Sequence, residues 1–390
     1  MKIALAADLH LGIRQFNSKQ RWQDYLDAYT KLTSKVKELK LDAFVIAGDI
    51  FDKSRPHPGV VRKFLRETSK VECPVMLIRG NHDSPQILFE KYGGDILHLI
   101  NDVSKISYLN KKNPTLKIND VNFIGVGYES YNIPKQIEEQ VKDSIDDSFV
   151  NVGIFHQLLD FPGVPEDRAD VSRNFLKSLG LNLILLGHFH VPYSEECMFN
   201  PGSPEYWSFD QGECIKFDLD TEEIIIKPAK RTGFFVIDTN TCQGDFVDIK
   251  PARPMFNIIY ETENFSEVLH MSKIRNHLEK YNIQDALIKT VIKGLSKTGR
   301  TSVKSLTLKK PLIHTPTSML KTVKSKSSKK EIFKDFREYL IHNGLDESVS
   351  KSIVLWIEKN KEKISSMTEK EVLENIRKII RSQKTQNEEI

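Results

Sequence analysis

Five short segments in the first half of the chain each carry an apolar run into residues of metal-ligating type. They are Ala6-Ala7-Asp8-Leu9-His10, Ala47-Gly48-Asp49-Ile50-Phe51-Asp52, Gly80-Asn81-His82-Asp83, Phe155-His156-Gln157 and Gly187-His188-Phe189-His190. Residues 2–7, 43–47, 75–78, 122–127, 151–155 and 181–186 are brief and rich in Val, Ile, Leu and Phe, which predicts buried strands. Between the first two, Trp22, Tyr25, Leu26, Tyr29, Leu32 and Val36 follow helical spacing over residues 22–39. Strands inside and helices outside make an α/β fold. Loops leaving the tips of such strands converge, so the five segments are expected to share one cleft. Residues 196–199, 214–218 and 223–227 predict an antiparallel extension of the same sheet.

A chain of 390 residues exceeds what one hydrophobic core sustains, so more than one domain is expected. The texture changes at Arg231. Strand-like runs at 234–238, 246–250, 255–260 and 286–293 surround a helical stretch at 266–281, enough for a small α+β domain. The stretch 297–328 is rich in Ser, Thr and Lys, carries two prolines and predicts a linker. Helical patterns follow. Ile332, Phe333, Phe336, Tyr339 and Leu340 share a face that stops at Asn343-Gly344, and Val349, Ile353, Trp356 and Ile357 make a second. A capping box at Thr368 and Glu371 opens a third, through Val372, Leu373, Ile376 and Ile379.

With 39% hydrophobic and 28% charged residues, wholesale disorder is excluded. No run approaches bilayer length, and the apolar start is broken by Asp8, so a cytoplasmic, nucleoid-associated protein is expected. Cys73, Cys197, Cys214 and Cys242 are widely spaced and are expected to be reduced packing residues, forming neither a zinc knuckle nor a disulfide. The net charge of +4 hides an asymmetry. Residues 289–330 hold twelve Lys or Arg and no acid; removing those twelve charges from +4 leaves −8. Such a concentrated basic stretch fits contact with a polyanion, and equally a solvated linker.

Asp8 and His10 stand two apart at a strand end and point to one side, able to grip one ion. Gly48 lets the backbone turn sharply before Asp49. Asn81 offers a neutral carbonyl oxygen and His82 an imidazole, while Asp83 is expected to orient a histidine from behind. His156 stands alone; His188 and His190 share a face. Mixed oxygen and nitrogen ligands suit manganese, iron or zinc better than magnesium. Two such ions ~4 Å apart can hold both the attacking and the phosphoryl oxygens of an in-line displacement. Each segment alone has an ordinary structural explanation, but all five in order do not.

These segments resemble the calcineurin-like metallophosphoesterase pattern of Asp-x-His, Gly-Asp, Gly-Asn-His-Asp, His and Gly-His-x-His, over residues 1 to about 227. The resemblance implies a β-sandwich flanked by helices. It also implies that Asp8, His10 and His190 hold one metal, that Asn81, His156 and His188 hold the other, and that Asp49 bridges them. His82 would be the catalytic residue at the leaving oxygen. Three details are similar to DNA double-strand-break repair nucleases of the Mre-eleven/SbcD type: Ala7-Asp8-Leu9-His10-Leu11-Gly12, the Gly48–Asp52 and Asn81–Pro85 segments, and the loop Asn200-Pro201-Gly202-Ser203-Pro204-Glu205. One departure is Asp52, where many members place a phosphate-handling histidine.

That resemblance implies an order of domains: nuclease 1–230, α+β DNA-binding cap 231–296, basic linker 297–330, helical module 331–383 and a tail 384–390. The implied cofactors are two manganese ions per subunit. The implied activity is three-prime-to-five-prime exonuclease and single-strand endonuclease. The implied partners are DNA ends and single-strand or hairpin regions, a Rad-fifty/SbcC-type SMC-like ATPase bound through Phe333, Phe336, Trp356, Ile357 and Ile376, and a second copy of the chain. The homodimer is expected at helices carrying Val60, Val61, Phe64 and Leu65, and Ile87, Leu88, Tyr92, Ile96 and Leu99. Lys304, Lys309 and Lys310 are the expected nucleic-acid contacts. The rival readings are a phosphatase or small-molecule phosphodiesterase on the same core, and a DNA-binding scaffold subunit with a residual metal site. A complete ligand set opposes the scaffold; the basic segment and appended helices oppose a small-molecule enzyme.

Overall fold

The strand-length runs carry no polar face because both of their faces are covered. The structure, a computed structural model, describes residues 1–84, 94–263, 265, 267–295, 306–320, 340, 346–360, 371–372 and 374–380. Ile87, Leu88, Tyr92, Lys304, Phe333, Phe336 and the capping box opened by Thr368 lie outside the described residues. The chain divides into two compact units, Met1–Leu320 and Lys321–Ile390. Among the described residues no helix is long and apolar enough to cross a membrane.

The first unit opens with β1 (Lys2–Ala6), α1 (Lys19–Leu39), β2 (Ala43–Ala47), α2 (Pro58–Thr68), β3 (Val75–Ile78), α3 (Ile96–Val103) and β4 (Ile106–Tyr108). Then come β5 (Thr115–Ile118), β6 (Val121–Val126), α4 (Ile133–Lys142), β7 (Val150–His156), α5 (Arg173–Lys177), β8 (Leu183–Gly187), β9 (Tyr193–Glu195) and β10 (Met198–Asn200). It closes with β11 (Glu213–Asp218), β12 (Ile224–Lys227), β13 (Gly233–Asp238), β14 (Gly244–Asp248), β15 (Met255–Glu261), α6 (Glu267–Leu278), β16 (Leu287–Leu295) and β17 (Ile313–Leu320).

Two six-stranded sheets, ordered β14-β13-β1-β2-β3-β4 and β5-β6-β7-β8-β10-β9, face each other. Alternation divides each strand between two cores. Ile3, Leu5, Val45, Met76 and Ile78 meet Phe123, Val152, Ile154 and Leu185 between the sheets. Ala4, Ala6, Phe44 and Ile46 pack outward under Leu26, Tyr29 and Leu32 of α1 and Phe64 of α2. Val126, Phe155 and Leu186 pack under Ile137 and Val141 of α4. The expected sandwich flanked by helices is therefore present. β1, β2 and β3 run parallel, as do β7 and β8, so their C-terminal tips open on the same side of each sheet.

The strands after β10 are distributed differently from the expectation. β11 and β12, expected to extend the first sheet, form the edge of a third sheet ordered β12-β11-β15-β16-β17. β13 and β14, expected beyond a boundary at 231, pair instead with β1 of the sandwich. Hydrophobic alternation marks a strand but not its neighbour, so the exchange was not visible in the sequence. The expected linker also shortens, because β17 pairs in parallel with β16. Pro316 is compatible with a strand there because β17 lies at the edge of the sheet. Lys309 and Lys310 lie exposed just before it.

The cysteines correct a further expectation. Cys197, in the β9–β10 turn, and Cys242, in the β13–β14 turn, are disulfide-bonded with Cα atoms 5.1 Å apart, while Cys73 and Cys214 are free. The two turns belong to opposite sheets and meet only once the sandwich closes, across 45 residues of sequence. In the second unit, α7 (Glu347–Lys359) is capped by the Asp346 side chain accepting from the Ser348 N–H. It buries Val349 and Ile353 and leaves Trp356 and Ile357 half-buried; Ile376 is half-buried in a further helical stretch.

α2 separates what its sequence face joined. Val60 and Phe64 are buried, and the Phe64 ring packs at 5.4 Å on Tyr29 and 5.5 Å on Phe51, whereas Val61 and Leu65 are half-buried. Phe64 is therefore a core residue and not part of an assembly face. Phe64→Ala should lower stability by about 3–5 kcal/mol in urea denaturation. A variant as stable as the parent would return Phe64 to the surface.

Candidate metal centre

The tips of β1 and β2 remain paired past the end of the sheet: the Asp8 N–H donates to Gly48 at 3.1 Å, His10 to Asp49 at 3.0 Å and Leu11 to Ile50 at 3.0 Å. This continued pairing holds the first two ligand segments side by side. Asp8, His10, Asp49 and His188 all take positive φ, between 42° and 80°. A non-glycine residue in that region costs roughly 1–3 kcal/mol, which the surrounding packing must offset. Two glycines allow the segments to close up. A Cβ on Gly48, at φ +87°, would overlap the His156 ring, and one on Gly80 would overlap Asp49.

All seven expected ligands come together with His82. Asp49 lies between the two halves of the set, its Oδ2 being 3.6 Å from His10 Nε2 and 3.5 Å from His156 Nε2. On one side His10 Nε2 and His190 Nε2 approach to 3.2 Å, with Asp8 Oδ1 3.7 Å from the latter. On the other, Asn81 Oδ1 lies 2.9 Å from His188 Nδ1 and 3.2 Å from His156 Nε2. His156 Nδ1 lies 2.7 Å from the Ala47 carbonyl, to which it donates, so Nε2 is the atom free to bind. Asp8 accepts the His188 N–H on both oxygens at 3.1 Å.

The donor set fits a divalent metal. Asp8, His10 and His190 form one group of mutually close ligand atoms, Asp49, His156 and His188 a second, and His10, Asp52 and His82 a third. Burial holds His10 well below the ordinary imidazole value, takes His190 down to about 3 and His188 down to about 4, leaving their lone pairs available. The His10 and His190 Nε2 atoms, 3.2 Å apart, can share one N–H between neutral rings, and the same pair of nitrogens can turn to a common cation. Burial opposes charge on His156 too, but Asp49 and then Asp8 lift it to about 9. Burial raises Asp8 to about 7, while His156 and His10 overcome burial and draw Asp49 below the ordinary carboxylate range.

Asp83 departs from its expected role. Its fully buried carboxylate touches no histidine; it accepts the backbone N–H groups of Ile50 at 3.1 Å, Phe51 at 2.9 Å and Gly80 at 3.0 Å. It thereby joins the β2 tip to the β3 tip. His82 is positioned by its N–H to Asp49 Oδ1 at 2.9 Å and by Nδ1 against the Asp52 carbonyl at 2.9 Å. Asp52 contributes its main-chain carbonyl to this placement, while its carboxylate lies in the third group with His10 and His82.

Sequence reading missed Trp207. Its ring lies 4.0 Å from His10, 5.0 Å from His190 and 5.6 Å from His82, walling one side of the centre. The loop carrying it is anchored by buried Arg21, whose Nη1 donates to Asp24 at 2.9 Å and Glu205 at 3.1 Å, and whose Nη2 donates to the Tyr206 carbonyl at 2.9 Å. Arg253 closes the network onto Asp24 at 2.8 Å. Gln211 donates to the His190 carbonyl at 2.7 Å. Nothing in the spacing around Trp207 marks it; the Pro-Gly-Ser loop before it was the nearest indication.

The sequence model of the calcineurin-like phosphoesterase family matches residues 1–192, which contain every ligand of this centre. Residues 1–192 are a calcineurin-like phosphoesterase domain. The chain is similar to the DNA double-strand break repair protein Mre11 of Archaeoglobus fulgidus, 25% identical over 295 residues, covering 68% of this chain and 62% of that one. The Mre11 of Methanopyrus kandleri is 25% identical over 314 residues, 73% of this chain and 65% of that one. A subunit of the nuclease SbcCD of Staphylococcus epidermidis is 25% identical over 288 residues, 64% of this chain and 74% of that one. The match spans less than two thirds of the two archaeal relatives. These relatives agree with the resemblance read from the motifs.

In the phosphoesterase domain Asp49 stands between both ligand groups. Asp49→Ala should therefore deplete all bound metal together, whereas His190→Ala should deplete it in part. Metal content after equilibration with manganese and desalting, read by elemental analysis, decides between them. Full retention of one ion in Asp49→Ala would remove the bridging role.

Proposed function

We propose that this chain is a manganese-dependent DNA nuclease, hydrolysing phosphodiester bonds at DNA ends and in single-strand regions. The observation that carries the reading is the convergence of Asp8, His10, Asp49, Asn81, His156, His188 and His190 on one cleft with His82 at its edge. Asp8, His10 and His190 would hold one ion and Asn81, His156 and His188 the other, with Asp49 between them. When bound, two such ions supply an activated water and neutralise the phosphoryl oxygens.

The chain's own residues do the rest. Asp49 and Asn81 fix the positions against which a phosphate is oriented. His82, held through Nδ1 by the Asp52 carbonyl, presents Nε2 to the departing oxygen and in its protonated form donates to it. Trp207 walls one side of the cleft. Lys309 and Lys310, exposed on the third sheet's approach, suit DNA phosphates, so part of the affinity should fall with salt.

The assembly belongs to the same proposal. The relatives named for double-strand break repair support work on broken DNA. The same proposal sets this chain in the cytoplasm beside the nucleoid, with an SMC-like ATPase of the Rad-fifty/SbcC class docking on the second unit, where Trp356, Ile357 and Ile376 are half-buried. A second copy would meet the outward side of α2 and α3, where Leu99 and Val103 are exposed.

Manganese-supplemented assays on labelled DNA, a chromogenic phosphodiester and a phosphomonoester test the reading. DNA should be the best substrate, and preference for the monoester would make this a phosphatase. His82→Ala should lower turnover by roughly two or more powers of ten while metal content stays at the parent level. Near-normal turnover in that variant would make His82 structural.

A further inference from the structure

The edge strand β12 exposes three successive isoleucines, Ile224 at 45%, Ile225 at 56% and Ile226 at 58%. Side chains alternate along a strand, so these three cover both faces of the sheet edge. β12 is paired on one side only, antiparallel to β11, with Ile226 opposite Ile215 and Ile224 opposite Phe217. Among the described residues no strand pairs with its other side, which presents a row of backbone groups. Sheet edges of this kind are usually protected by charge, proline or extreme shortness. Here the charges stand only at the two ends of the apolar run, as Glu223 and Lys227.

The turn into β12 determines which groups face out. The Asp218 N–H donates to the Glu223 carbonyl at 3.0 Å, and its carbonyl accepts the Glu222 N–H at 2.9 Å, with Glu222 at φ 64°. Alternation in an antiparallel ladder then directs the N–H and C=O of Ile225 toward β11, and those of Ile224 and Ile226 away from it. Glu223 and Lys227 are exposed, and neither has an ion-pair partner among the described residues, whereas adjacent Glu222 pairs with Lys273.

We propose that β12 pairs with β12 of a second copy of this chain, antiparallel, about a two-fold axis through Ile225. In that register Ile225 faces the partner's Ile225, Ile224 faces the partner's Ile226, and Glu223 faces the partner's Lys227 at both ends. The outward-facing groups of Ile224 and Ile226 then exchange both hydrogen bonds with their counterparts. Centring the axis one residue either way sets Glu223 or Lys227 against an isoleucine. The self-complementary order of charge, three isoleucines and opposite charge is what selects a second copy over a foreign strand. The contact is short, so it is weak alone and gains from anything that already gathers copies, such as a shared polyanion. It is separate from the metal centre and does not depend on the nuclease reading.

Ile225 would sit in a non-hydrogen-bonded pair, where Cα atoms lie about 4.5 Å apart, within disulfide reach. Ile225→Cys, in a chain also carrying Cys73→Ser and Cys214→Ser, should give a reducible covalent dimer on denaturing gels after mild oxidation with glutathione disulfide at tens of micromolar protein. In the same cysteine background, Glu223→Lys or Lys227→Glu alone should reduce the cross-linked yield roughly tenfold by facing like charges, and the two together should restore it. Circular dichroism verifies that each variant folds. No cross-link above that of the background chain, or a charge-swapped double variant no better than the singles, overturns the proposal.

Discussion

A single buried carboxylate holds the two central loops of this protein in register. Asp83 accepts three backbone N–H groups, from Ile50, Phe51 and Gly80, at the place where β2 and β3 stop pairing as a sheet. Water cannot reach those donors, and each left unsatisfied would cost about 1–3 kcal/mol. Every ligand on those two loops, Asp49 and Asn81 among them, inherits its position from this clamp. Burial raises the Asp83 carboxyl to about 7, and charge on Asp49 adds to that, while the three N–H bonds pull it back. The clamp is thus strong in hydrogen bonds and sensitive to the charge of the centre it supports.

The ligand residues themselves carry the strain. Asp8, His10, Asp49 and His188 lie in the left-handed region, where none of their side chains would go unaided. The continued β1–β2 pairing and the room made by Gly48 and Gly80 keep them there. Burial keeps His10 and His190 neutral, so between them they hold nitrogen lone pairs that a cation can take up. The donor set is suited to a divalent cation.

What could be read in the sequence was local. Strand tips, ligand types and helix faces follow from periodicity and from the residues themselves, and most of the strands came close to their expected bounds. The misses were relational. Whether β11 joins one sheet and β13 another is settled by packing between surfaces far apart in sequence. Cys197 meets Cys242 only through the closed sandwich. Asp83 neighbours a histidine in sequence, yet its acceptor capacity went to the main chain, because three buried donors demanded it more than one imidazole did. Trp207 stands in no motif; only its stacking on His10 gives it meaning.

The Arg21 network has a bearing on biosynthesis. Arg21 and Asp24 lie on the first helix, yet their partners Glu205, Tyr206 and Arg253 are more than 180 residues later. His10 likewise waits for His190. Contacts of such sequence separation close late, after local strands and helices have formed. On the ribosome, the first half of the centre emerges as an incomplete set of ligands, and the wall bearing Trp207 settles only after α1 can grip it. Roughly the first half of the chain is therefore made before the last ligand, His190, exists, and the wall bearing Trp207 follows it.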